Sequence, residues 1–296
     1  MHAIAAILAA VIVGTWNGNW FPSGRAEHRA HPDVEAATTA AVAGMLARGL
    51  DSVDPLRTND VVLCLNEIRG NAASNLVAQI AALGRTNLVV ASTSAYRRRD
   101  RFDQQQDVVA TTLPVVSAGW EKFAGHGKET PPRGYAYALL VFDPATTGAV
   151  YATHLKSNYG AGKDKKAQTL NRAKRTHAIE QILARAEKAG DASPVVVAGD
   201  MNADRWQKEF RDEQIFAMLD KAGFLDVLAL LPPEKRGTHP SKKWGDSALD
   251  YVFARGLSAA APPSIVSSEE LSDHNALFAV LAVRPAAAAE PPAPSN

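Results

Sequence analysis

The sequence predicts an α/β protein of two packed mixed β-sheets with helices outside. Short β-branched runs recur between longer helical patterns, the alternation expected of an α/β body. Strand patterns between residues 107 and 154 follow one another with no helix between them, which a purely parallel doubly wound sheet does not allow. No repeat period and no long linker divides residues 11–284, which are expected to form a single domain.

In chain order, residues 11–16 are an apolar, β-branched run too short for a helix and read as a buried first strand. Residues 32–50 carry apolar positions at helical spacing, residues 60–65 form a second buried strand, and Asn71 marks the entry to a helix over 72–83. Strands are predicted over residues 87–91, 107–113, 135–142 and 148–154. A helix over 165–188, a strand over 194–199 and a helix over 207–222 closed by Gly223 come next, then strands over 249–254 and 275–283. Residues 1–10 are an apolar N-terminal extension or a signal segment. The apolar run from Ala3 to Val13 is shorter than the roughly 20 residues of a membrane span, no Lys or Arg precedes it, and no clear small-x-small cleavage site follows. Localisation thus stays open between export and the cytoplasm, and no stable membrane insertion is expected. Residues 285–296, rich in Ala and Pro, read as a disordered tail.

Of 296 residues, 46% are hydrophobic and 21% charged, enough apolar material for a sizeable core. The 32 Lys and Arg against 31 Asp and Glu leave a net charge of +1, which excludes a polycation that coats nucleic acid by bulk charge; any anion site must be local. A single cysteine, Cys64, excludes an internal disulfide and thiolate-rich zinc sites. Nothing in the sequence calls for a protein partner, and a monomer is expected.

The ends of the predicted strands carry the chemistry. Thr15-Trp16-Asn17 with Asn19 follows the first, Asn66-Glu67 the second, His154-Leu155-Lys156-Ser157-Asn158 the sixth, and Gly199-Asp200-Met201-Asn202 the seventh; Asp250 opens the eighth, and Ser272-Asp273-His274 precedes the last. Each alone has an ordinary explanation: a solvated loop charge, a core histidine, an Asx turn or a strand terminator. Together they supply the groups that phosphodiester cleavage needs. Glu67 offers a carboxylate and Asn17 an amide oxygen to a hard cation, with Asp273 as a further ligand. Asp200 or His274 can serve as the base, Asn202, His154 and Lys156 as phosphate donors, and Asp250 can hold His274 in one tautomer.

These motifs, in this order from Thr15 to Asn275, resemble the signature of the endonuclease/exonuclease/phosphatase superfamily. The resemblance implies a four-layer α/β/β/α sandwich and divalent-metal phosphoester hydrolysis with Mg2+ or Mn2+. It assigns Glu67 to the metal with Asn17 and Asn19 nearby, Asp200 to activating or orienting water, and Asn202 to phosphate. Asp250 with His274, and His154, are assigned to transition-state stabilisation, and Asp273 to the metal or the nucleophile. Two positions depart from the pattern: Asn66 stands where many relatives have Gln, and Asn19 where several DNA-repair relatives have Asp, so one or two metal ions stay open.

Substrate choice lies in loops. Arg97, Arg98 and Arg99 flanked by Tyr96 and Phe102, a basic stretch from Lys156 to Arg175, and a third with Lys242 and Lys243 border the predicted site. Arg97, Arg98, Arg99, Asn19, Lys156 and Asn158 are the substrate-binding candidates, and nucleic acid is the expected substrate. Three alternatives remain in the sequence: a sphingomyelinase-like enzyme acting on phospholipid, to which an exposed Trp120, Phe123 and Trp244 set would contribute; a phosphoesterase for small phosphorylated metabolites; and a non-catalytic binding module on the same fold.

Overall fold

The structure, a computed structural model, describes residues 10–22, 32–69, 72–95, 105–188, 194–241 and 245–283. Expectations for residues 1–9, Asn71, Arg97, Arg98, Arg99, Lys242, Lys243, Trp244 and the tail 285–296 lie outside the described residues.

Central strands are apolar on both faces because both faces are covered. In β1 (Ala10–Phe21), Val11 and Val13 join the core shared with the second sheet, while Ile12 and Trp16 join the core under the helices, as the two-residue period of the pleat requires. The first sheet runs β11 (Leu257–Ala259), β13 (Ala276–Val283), β1, β2 (Asp60–Ile68), β4 (Gln106–Thr111), β3 (Val89–Thr93), with β12 (Ser264–Val266) also on β13. The second runs β5 (Val115–Lys122), β6 (Gly134–Asp143), β7 (Thr146–Thr153), β8 (Val195–Asp200), β10 (Asp250–Arg255), β9 (Leu225–Asp226). Val42 and Leu46 of α1 (Pro32–Val53) and Leu76 and Ile80 of α2 (Ala72–Ala82) pack with Ile12, Leu63 and Phe278 of the first sheet. Ile179 and Ile182 of α3 (Lys165–Glu187) and Ile215 and Leu219 of α4 (Gln214–Lys221) share a core with Val196, Ala198 and Phe253 of the second. The layers are therefore α/β/β/α, as expected.

The topology explains why chemistry gathers at one edge. β1 and β2 are parallel across α1, and β7 and β8 are parallel across α3, so each pair delivers its C-terminal ends together. Antiparallel β10 and β13 begin where those strands end: Asp250 pairs with Asp200, and Thr15 with Leu277. Gly199 permits the close approach of β8 to β7, since its φ is +140° and a Cβ there would lie 2.0 Å from the Thr153 carbonyl oxygen. Gly199→Ala is expected to cost about 2–4 kcal/mol of stability from strain and overlap together, measurable by urea unfolding.

Several sequence expectations are corrected. The strand expected at 87–91 begins at Val89, because Leu88 N–H closes a turn onto the Arg85 carbonyl. The helix expected over 207–222 is broken into a short 3-10 turn, Lys208–Phe210, and α4. Asp204 Oδ1 accepts from Trp206 N and Gln207 N and holds the chain in a turn there. Phe123 is buried against Tyr135 and presents nothing to a lipid surface. Arg175, counted in the second basic stretch, is fully buried and ion-paired with Glu213. Burial raises the Cys64 thiol pKa, leaving it protonated and unreactive.

Candidate active site

At the shared edge the two sheets are laced by side chains. Asn66, on β2, accepts from Asp200 N (3.0 Å) across the sandwich and donates to Asp107 on β4 (2.8 Å), so one amide fixes three strands. Asn17, at the end of β1, donates its Nδ2 to Asp200 Oδ2 (2.9 Å) and accepts Asn19 N–H at its Oδ1 (3.0 Å). Among the described residues six non-glycines have positive φ, and four of them, Asn19, Trp20, Glu67 and Asn202, lie at the ends of β1, β2 and β8. The backbone there is turned to aim side chains into the cleft, a placement typical of functional sites.

Asp200 is the hub. Its Oδ1 accepts from Asn202 N (2.8 Å), and its Oδ2 lies 3.5 Å from His154 Nε2 and 3.9 Å from His274 Nε2. Burial, reinforced by the Asp250 charge, raises its pKa to about 7 against the opposing pull of His274, Asn202 and Asn17. His274 donates Nδ1–H to Asp250 Oδ2 at 2.7 Å. Burial alone would favour the neutral ring, but Asp250, by charge and hydrogen bond, together with Asp200 and Asp273, raises its pKa to about 10 and makes it an imidazolium at neutral pH. Asp250 is itself set by Thr238, whose Oγ1 accepts Asp250 N–H (2.9 Å), and Ser272 Oγ joins His274 N to the Asn17 carbonyl.

His154 is fully buried, and burial with the nearby Arg133, His274 and Lys156 charges lowers its pKa well below the ordinary value, so the ring is neutral. Its Nδ1 lies 3.7 Å from Glu67 Oε1, too far for a hydrogen bond. That nitrogen and Glu67 Oε2 are both buried without a hydrogen-bond partner. An orphaned carboxylate oxygen costs roughly 1–3 kcal/mol unless something binds it. Glu67 Oε2 and the second lone pair of Asn17 Oδ1 are oxygen donors of the kind that suits a hard dication.

The remaining candidates flank this group. Asp273 stands half exposed at the mouth, its carboxylate facing His239 and His274. Asn202 Nδ2 donates to the Leu155 carbonyl (3.2 Å). Lys156 Nζ bonds the Ser157 carbonyl, and Asn158 Oδ1 accepts from buried Arg175, so these residues shape the wall after β7. Sequence reasoning missed Asp107, Arg133, which donates to the His154 and Leu155 carbonyls and to Gln105, and Thr238. It did not place His239 at the site.

The family model described as the endonuclease/exonuclease/phosphatase family matches residues 14–274. The chain belongs to this family. Its members are phosphoesterase hydrolases. Among solved structures, a family member from Beutenbergia cavernae superposes with a TM-score of 0.64 at 17% identity, covering 93% of this chain and 72% of the other. D. rerio TDP2 complexed with a single-strand DNA product gives 0.58 at 15%, covering 92% and 98%. Sphingomyelinase C from Streptomyces griseocarneus gives 0.56 at 20%, covering 92% and 99%. At these identities the likeness establishes the fold. A search of curated proteins returned no match. Among the described residues no helix is long and apolar enough to cross a membrane.

Proposed function

We propose that this chain is a divalent-metal-dependent phosphodiesterase acting on nucleic acid. The observation that carries the hydrolytic reading is the convergence of buried Asp200, neutral His154 and the Asp250–His274 pair beside the orphaned oxygen of Glu67. Held by Glu67 and Asn17, Mg2+ or Mn2+ would polarise a phosphoryl oxygen and neutralise charge developing on it. Asp200 Oδ2 takes the proton of the attacking water, its raised pKa matching it to that task near neutral pH. The His274 imidazolium, fixed by Asp250, and the neutral His154 ring donate to non-bridging phosphate oxygens. Asn202 Nδ2, which donates one hydrogen to the Leu155 carbonyl, has a second to offer the same group.

Nucleic acid as substrate is supported by the arginine-rich 97–101 segment and by the DNA-bound TDP2 neighbour. The sphingomyelinase neighbour keeps phospholipid as the second reading. Hydrolysis of bis(p-nitrophenyl) phosphate is expected to stop on chelation and return with Mg2+ or Mn2+. Glu67→Gln, which removes charge at constant shape, is expected to raise the Mg2+ requirement about tenfold or more. An unchanged metal titration would remove Glu67 from the role. Plasmid DNA, RNA, sphingomyelin and inositol phosphates assayed in parallel decide the substrate, and a preference for either of the last two overturns the nuclease assignment.

A further inference from the structure

His239, Asp273 and His274 form a second group of ligating atoms at the mouth of the cleft. Each offers one atom, and the three atoms lie within 4.8 Å of one another. His239 Nε2 is 3.9 Å from Asp273 Oδ2, and His274 Nε2 is 4.0 Å from Asp273 Oδ1. Ligands around a tetrahedral zinc ion, with bonds of about 2.0–2.2 Å, sit roughly 3.3–3.5 Å apart. A relative shift of about half an ångström within each of these two pairs closes that gap, and half-exposed Asp273 has room to make it.

The nitrogens are held in place by their surroundings. Asp250 occupies His274 Nδ1 at 2.7 Å, which leaves Nε2 as the ligating atom in a carboxylate–histidine–metal arrangement once the metal has displaced the imidazolium proton from Nε2 to solvent. The backbone of His239 is clamped to Ser247 by reciprocal bonds of 2.9 and 3.0 Å, and the preceding Thr238 holds Asp250 N. His239 is 28% and Asp273 50% exposed, so an ion can reach the group from solvent. Two nitrogens and one carboxylate suit a borderline transition-metal ion and disfavour Mg2+, which prefers an all-oxygen set.

We propose that His239, Asp273 and His274 form an inhibitory site for a borderline transition-metal dication, with Zn2+ as its probe, whose nitrogen ligands set it apart from the oxygen donors Glu67 and Asn17. Occupation removes His274 Nε2 from the position where it faces Asp200 and the phosphate. Inhibition rests on the phosphodiesterase reading; binding does not.

Tag-free protein in excess Mg2+ is titrated with Zn2+ by calorimetry, and hydrolysis of bis(p-nitrophenyl) phosphate is followed over the same Zn2+ range. Wild type is expected to bind one Zn2+ and lose activity with it. His239→Asn is expected to weaken Zn2+ binding and to raise the half-inhibitory Zn2+ concentration by the same factor, about tenfold or more. Its Zn2+-free turnover and its thermal midpoint should match wild type, showing that the variant is folded. Glu67→Gln should leave the Zn2+ isotherm unchanged. The proposal fails if Zn2+ does not bind in excess Mg2+, if His239→Asn binds it as wild type does, or if Glu67→Gln abolishes binding. If wild type hydrolyses no phosphodiester while the His239-dependent isotherm holds, the metal site stands and the functional reading falls.

Discussion

Asp200→Asn is expected to lower kcat for a small diester by about 10³-fold while leaving the protein folded, since a positioned general base contributes about 10²–10⁴. The substitution preserves size and burial but removes the proton acceptor at the point where Asn17, His154 and His274 converge. The pH profile separates a base from a scaffold. Burial and Asp250 raise the Asp200 pKa to about 7, and a base acts only when deprotonated, so wild-type activity without saturating metal should rise with pH through about 7. A cation at Glu67 favours the Asp200 carboxylate, so saturating Mg2+ should move that limb to lower pH. The residual activity of Asp200→Asn should lack the limb. Turnover near wild type, or a limb that survives in the variant, would assign the base elsewhere.

What the sequence disclosed and what it hid follow from how each segment earns its place. β1, β2, β7 and β8 are buried on both faces, so they read as largely apolar runs, and an amide, carboxylate or imidazole stands at or just past the end of each, where the sheet edge presents it: Asn17, Glu67, His154 and Asp200. That pattern made the candidate cluster legible without any contact being known. β5 was missed because it is an exposed edge strand containing Ser117 and Gly119, with neither an apolar run nor clean alternation. β9, β11 and β12 are two or three residues long and exist only because β10 and β13 pair with them. Arg175 looked like one more surface cation, since its partner Glu213 is 38 residues away and nothing local marks the pair. Asp107, Arg133 and Thr238 act by bridging loops and strands distant in sequence, so residue type alone carried no signal. Their roles are products of the two sheets being packed face to face.

Asp250→Ala and His274→Ala are each expected to lower kcat/KM by about 10²–10⁴, and the double variant by little more than either single one. The two act through one bond of 2.7 Å: without Asp250, the His274 ring loses its fixed tautomer and the main source of its raised pKa. Asp250→Asn gives the sharper reading. The His274 pKa of about 10 sets where the cationic donor is lost, so wild-type activity should fall as pH rises through about 10. With the carboxylate neutralised, burial prevails and the limb should move toward neutral pH, because burial favours the uncharged ring. Removing the ring is costlier for the fold. His274→Ala strands fully buried Asp250, whose Oδ1 already lacks a partner, so it is expected to lose about 3–5 kcal/mol of stability, whereas the double variant recovers part of that loss. Urea unfolding of wild type, the two alanine variants and the double variant, with pH–rate profiles of wild type and Asp250→Asn, measures both couplings. Losses that add fully in free energy, with an alkaline limb unmoved in Asp250→Asn, would show that the pair does not act as a unit.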